Sequence, residues 1–158
     1  MAVTLKKFDS LGGYSVSNKV VITEEKDLQN VNTLQIKNNN FSDITKTNYI
    51  LKGTGSQILE LDNTAGKIIL PQETINFITI HVVGVKADAS AVYSTKLETT
   101  VTCDNTGNVS TLTSFVTVIR DDIPSTETWT ILPYDSGSSG EYSVIASVSG
   151  TTDSVKWV

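Results

Sequence analysis

Cysteine, histidine, proline and long apolar runs are all scarce in this chain of 158 residues, and each shortage removes a class of protein. A lone Cys103 cannot close an internal disulfide, and the opening residues Met1 to Phe8 hold no apolar stretch of signal-peptide length. Synthesis in a reducing cytoplasm is therefore expected. A lone His81 cannot build a histidine-rich metal site. The longest apolar runs are short, such as Ile68-Ile69-Leu70, against the ~20 residues that span a bilayer, so no membrane insertion is expected. Heptads and collagen triplets are missing, and no internal repeat goes beyond similar turns at Asp62 and Asp104, so no fibre shaft is encoded. Charged residues make up only 18% of the chain, too few for a protein covered in surface helices.

What is present is sheet chemistry. Thr (22), Ser (17) and Val (17) together exceed a third of the chain, a balance suited to pleated, half-buried surfaces. From Gly55 onward strand patterns follow at short intervals, over residues 57–62, 66–70, 75–86, 91–102, 109–119, 127–134, 141–149 and 154–158. Gly, Asn and Asp clusters separate most of them, as hairpins require. Pro71, Pro124 and Pro133 fall near the expected strand ends, where a missing N–H costs least. With Thr106 as the midpoint of one turn, Cys103 is expected opposite Val109, Leu97 opposite Phe115 and Tyr93 opposite Ile119, all on one buried face. Ser94, Lys96, Glu98, Thr100 and Thr102 then form a wet face. Tyr142, Val144, Ala146 and Val148 face inward against Ser143, Ser147 and Ser149, and Val155 shares a face with Trp157. Burial of Trp157 is worth about 2 to 3 kcal/mol.

The first fifty or so residues differ in kind. They are rich in Asn and Lys, poor in aromatics, and carry only brief apolar pairs, so they cannot close a core alone. Gly53-Thr54-Gly55-Ser56 reads as a boundary. Before it lies an extended arm, which gains order only against its own body or another chain. Residues 1–67 hold eight Lys and seven acidic residues, a net of +1, whereas residues 68–158 hold four Lys or Arg and ten acidic residues, a net of −6. An acidic body with a pI near 4.7 repels nucleic acid and anionic membrane, so neither is an expected partner.

Few residues invite a chemical reading. His81 lies inside a strand pattern, and a general base would need a partner that sequence does not locate. Cys103 ends an apolar face with no basic neighbour, so packing is expected rather than reactivity. Glycosidic cleavage needs two carboxylates ~5 to 9 Å apart. Glu60 and Asp62 form the one local pair on a shared strand face, and no aromatic residue flanks them to hold a sugar. Asp104 with Asn105 and Asn108, or Asp62 with Asn63, offers oxygens to calcium, but neither loop has the carboxylates of a dedicated site. Tyr14, Tyr49, Tyr134 and Tyr142, with Trp129, remain as aromatic platforms for a receptor sugar, although Trp129 alternates with Ile131 as a core strand would.

Two stretches carry a family likeness. Gly12-Gly13-Tyr14-Ser15-Val16-Ser17-Asn18-Lys19-Val20-Val21-Ile22, followed by Asp27-Leu28-Gln29-Asn30-Val31-Asn32-Thr33-Leu34, resembles the N-terminal segments of tail-fibre-like structural proteins of tailed bacteriophages. From Ile75 to the end the chain resembles a β-sandwich of phage tail-fibre and virion-decorating proteins, whose last strands carry a Trp, a Val-x-Gly turn and a closing Lys-Trp-Val. Here these are Trp129, Val148-Ser149-Gly150 and Lys156-Trp157-Val158. The resemblance implies a non-enzymatic component of the virion, often trimeric, with the arm on the particle and the sandwich outward. The lack of a shaft leaves a head fibre, a capsid or collar decoration, or one subunit of a composite tail fibre.

The expectation is thus an all-β protein: an antiparallel, jelly-roll-like β-sandwich over residues 53–158, preceded by an extended virion-anchoring arm over residues 1–52. No catalytic, cofactor-binding or metal-binding residue is assigned. Other virion proteins and further copies of the chain, as a homotrimer, are the expected partners. A carbohydrate- or receptor-binding module for host attachment is the alternative, with Trp129 and Tyr134 touching a host cell-surface glycan.

Overall fold

The described part of the chain is built from sheet: a computed structural model describes residues 14–16, 19–22, 33–37, 40–41, 44–61, 65–135 and 139–158, and every regular element among them is a β-strand. It divides into two units, Met1–Asn48 and Tyr49–Val158. In the first, β1 (Tyr14–Val16) pairs antiparallel with β2 (Lys19–Ile22), and β3 (Thr33–Lys37) pairs with β4 (Thr45–Tyr49). Gln35 Nε2 donates to Thr47 Oγ1 at 3.3 Å across the second pair. Gly12-Gly13 and most of the Asp27-to-Leu34 motif lie outside the described residues.

The second unit begins before the glycine-rich stretch. Leu51 is already a core residue, and Gly53–Thr54 forms β5 instead of a linker. Next come β6 (Gln57–Ile58), β7 (Ile68–Ile69), β8 (Thr74–Lys86), β9 (Val92–Cys103), β10 (Val109–Asp122), β11 (Thr128–Asp135), β12 (Glu141–Ser149) and β13 (Val155–Trp157). They form two antiparallel sheets. One has five strands in the order β10-β9-β8-β13-β5; the other runs β11-β12-β6, with β7 also paired to β12. A β-sandwich results, because residues from the two inner faces join in one core. Val82, Leu97, Val101 and Val155 contribute from the first sheet, and Ile131, Tyr142, Val144 and Ala146 from the second.

At one end of this core the chain makes room for its largest side chains. Gly84 lies opposite both Tyr93 on β9 and Trp157 on β13. A β-carbon at Gly84 would come within 2.3 Å of the Trp157 ring, so glycine is what allows the indole to lie across the strand. Trp129 descends from the other sheet edge-on to both, with ring centroids 5.7 Å from Trp157 and 6.5 Å from Tyr93. The Trp157 Nε1–H donates to Gly55 O at 2.9 Å, which satisfies the indole and ties down the turn after β5.

Turns follow the chemistry of their residues. Asp104 Oδ1 accepts from Thr106 N (2.8 Å), Thr106 Oγ1 (2.7 Å) and Asn108 N (2.9 Å), while Oδ2 accepts from Asn108 Nδ2 (3.0 Å). Donors of the turn itself thus occupy both Asp104 oxygens weighed above for calcium, and the other loop, Asp62 and Asn63, lies outside the described residues. Pro133 lies inside β11 rather than at its end. The strand tolerates it because β11 is an edge of its sheet, so the absent N–H breaks no ladder. Ser143 departs from the alternation: it is fully buried and its hydroxyl donates to Leu59 O.

Candidate interaction surface

The hairpin of β9 and β10 begins in the expected register, with Cys103 opposite Val109, and then leaves it. Irregularities at Leu112 and Ile119 each insert one residue into β10, so Leu97 pairs with Val116 rather than Phe115, and Tyr93 with Asp121 rather than Ile119. One extra residue reverses the face of everything after it. Phe115 therefore stands opposite Glu98, on the outer face.

That outer face is only partly wet. β9 contributes Ser94, Lys96, Glu98, Thr100 and Thr102 as expected, but the flanking strands place large apolar groups beside them. On β8, Ile75 (66% exposed) pairs with Thr102 and Phe77 (86%) with Thr100; on β10, Phe115 (66%) pairs with Glu98. Phe77 and Phe115 border a shallow cleft of about 290 Å³, whose outer-face lining includes Thr79, Glu98, Thr100 and Thr113. Lys96 Nζ and Glu98 Oε1 pair at 2.8 Å, leaving no net charge at the centre. The apolar character continues around the edge. β10 is the 14-residue edge strand of its sheet, and Val116 and Val118, which pair with the core-facing Leu97 and Thr95, are themselves exposed. One edge N–H is covered, since Thr111 N donates to Asp135 Oδ2 at 2.9 Å.

Sequence reasoning did not single out Phe77 and set Phe115 on the buried face, although a signal existed for the first. From Ile75 to Val83 the chain is apolar at both strand parities, Ile75, Phe77 and Val83 on one and Ile78, Ile80 and Val82 on the other. Such a strand is built to be covered on both faces. Phe115 had no such signal, because its face is set by a bulge.

The residues singled out for chemistry are dispersed. Trp129 is 2% exposed, held by its ring contacts and by Nε1 donating to Glu127 Oε2 at 3.0 Å, so it is a core residue and no platform for a sugar. Tyr134 is half-buried beside Lys67, whose Nζ lies 6.0 Å from the ring centroid and 3.0 Å from Glu141 Oε2. His81 is exposed opposite Lys96 on the outer face. Cys103 is buried, and burial first, then the nearby Asp104 carboxylate, pushes its thiol pKa up, away from a reactive thiolate. Glu60 sits in a bridge with Lys52, and its proposed partner Asp62 lies outside the described residues.

One ionic cluster is buried. Lys86 and Glu127 pair with side chains 7% and 5% exposed, and Asp153 Oδ2 approaches the same ammonium at 3.0 Å. Hydrogen bonds to Glu127 first and Asp153 second raise the Lys86 pKa, so the amine stays charged rather than nucleophilic. With Trp129 on the other carboxylate oxygen, this cluster fastens β8 to the start of β11. Among the described residues no three His, Cys, Asp or Glu side chains converge as metal ligands, and no helix is long and apolar enough to cross a membrane. No protein-family model, curated protein or solved structure matches the chain.

Proposed function

We propose that the chain is a non-enzymatic structural component of a bacteriophage virion, a tail fibre, head fibre or capsid or collar decoration. Residues before the sandwich dock on the particle, and the sandwich is displayed as a homotrimer. The observation that carries this reading is the exposed apolar outer face of β8, β9 and β10, on a body whose core is complete without it. Apolar groups as exposed as Phe77 favour a covering surface, and large exposed patches on soluble domains mark sites of association. The resemblance to phage fibre and decoration proteins supplies the setting.

The test is incorporation. A chain lacking residues 1–40 is expected to fold and yet be missing from purified particles assembled in its presence. Normal incorporation of that truncated chain overturns the anchoring role.

A second reading, host attachment through a glycan, draws on Tyr134, a half-buried ring with the Lys67–Glu141 pair beside it. Specific glycan binding by the folded chain, lost in Tyr134→Ala, would raise it above the first.

A further inference from the structure

We infer that the occupant of the outer face of β8, β9 and β10 is the same face of further copies of this chain, each copy's Phe77 and Phe115 packing into the neighbour's cleft. The inference rests on the reading of the chain as an assembly component and names the partner of that surface.

Area is the first argument. Three strands ~4.8 Å apart and about nine residues long at ~3.3 Å per residue present roughly 450 Å² in projection, and somewhat more with side-chain relief. That is about half of the ~800 Å² per partner of a standard stable interface, and the exposed edge of β10 with Val116 and Val118 continues it. Composition is the second. Apart from His81, Lys96 and Glu98 the central part of the face carries Thr79, Thr100, Thr102, Thr113, Ile75, Phe77 and Phe115, side chains that lose little rotamer freedom when covered.

Charge selects a copy of the chain over a foreign surface. The protein carries a net −5, so two copies repel unless they meet where that charge is absent. Lys96 and Glu98 supply such a place, because they cancel on one copy and each can meet its opposite on another. Around a three-fold axis, three such faces enclose a common apolar interior, and the double-parity pattern of β8 is then satisfied on both sides.

The full-length chain tests this by sedimentation equilibrium. Wild type is expected as an oligomer. The double change Phe77→Thr with Phe115→Thr, which keeps strand propensity at two exposed positions, is expected to raise the dissociation constant at least 100-fold, whereas Leu132→Thr, 55% exposed on the other sheet, leaves the mass unchanged. A short thiol-to-thiol cross-linker is expected to join copies carrying Thr102→Cys and not copies carrying Leu132→Cys, with wild type, whose Cys103 is buried, as the blank. A monomeric wild type overturns the inference, as does an oligomer indifferent to Phe77 and Phe115 that cross-links equally from either face. Particle incorporation is read separately, so a failed interface and a failed virion role give different results.

Discussion

Substituting alanine for Gly84 tests the packing of the sandwich at its tightest point. The new β-carbon would lie 2.3 Å from Trp157 Cζ3, 2.6 Å from Cε3 and 2.8 Å from Cη2, where carbon contacts settle near ~3.5 to 4.0 Å. The ring must therefore retreat by about 1 Å or more to restore contact distance. It has little freedom to do so, held by its hydrogen bond to Gly55 O and by the edge of Trp129. Overpacking of this kind costs about 1 to 3 kcal/mol, and loss of the indole hydrogen bond adds about 1. Trp157→Ala alone should cost about 3 to 5 kcal/mol. In the double variant the added methyl enters the space that the indole left, so its cost should nearly vanish, giving a coupling of about 2 kcal/mol or more between the two sites. Urea unfolding followed by far-ultraviolet circular dichroism, at one fixed protein concentration so that any association bears equally on every variant, measures all four corners of the cycle. Additivity within about 0.5 kcal/mol would refute the argument that Gly84 exists to admit the ring.

Other outcomes follow from the charged and titrating groups. Burial pushes the Tyr142 hydroxyl up to about 12, whereas an unfolded tyrosine ionises near 10. The unfolded chain therefore releases this proton first, and stability should fall by roughly 2 kcal/mol as pH rises from 10 towards 12, with no effect below 10. Tyr142→Phe should flatten part of that alkaline limb and leave the share due to Lys86, whose raised pKa makes its contribution disappear in the same direction. Asp104 behaves oppositely. Hydrogen bonds from the Thr106 hydroxyl first, then from Asn108, hold its carboxyl well below the usual range. Its contribution is present above about pH 4 and lost as pH falls, so Asp104→Ala should lower the urea midpoint at pH 7 and shrink the difference from wild type near pH 2. Lys86→Met, which strands Glu127 in the core, should destabilise more than Lys86→Met with Glu127→Met, as urea midpoints of the two will show.

The strands were legible because their causes are local. Alternation from Val92 to Cys103 marks one buried face without any knowledge of the partner strand, and β9 has that pattern over its whole length. Turn residues fixed the hairpins for the same reason, as Asp104 does by gathering donors from Thr106 and Asn108. The register of β10 was not legible, since its irregularities at Leu112 and Ile119 answer to the neighbouring strand and no composition marks them. β5 was read as a breaker because Gly53 and Gly55 suggest a turn, and only the pairing of β5 with β13 makes it a strand. The buried Lys86–Glu127 pair joins residues 41 apart in sequence, beyond any local pattern. The candidate surface depends on the same nonlocal facts: Phe77 is visible from its strand, whereas Phe115 reaches the same face only through the bulge.

The mass of the intact wild-type chain in solution bears most directly on the claim that the exposed face of the sandwich is made for association. Sedimentation equilibrium at tens of micromolar should return about 51 kDa, three times the 17.1 kDa of one chain. A folded species that stays at 17.1 kDa across that range, with Phe77 open to solvent, would contradict it.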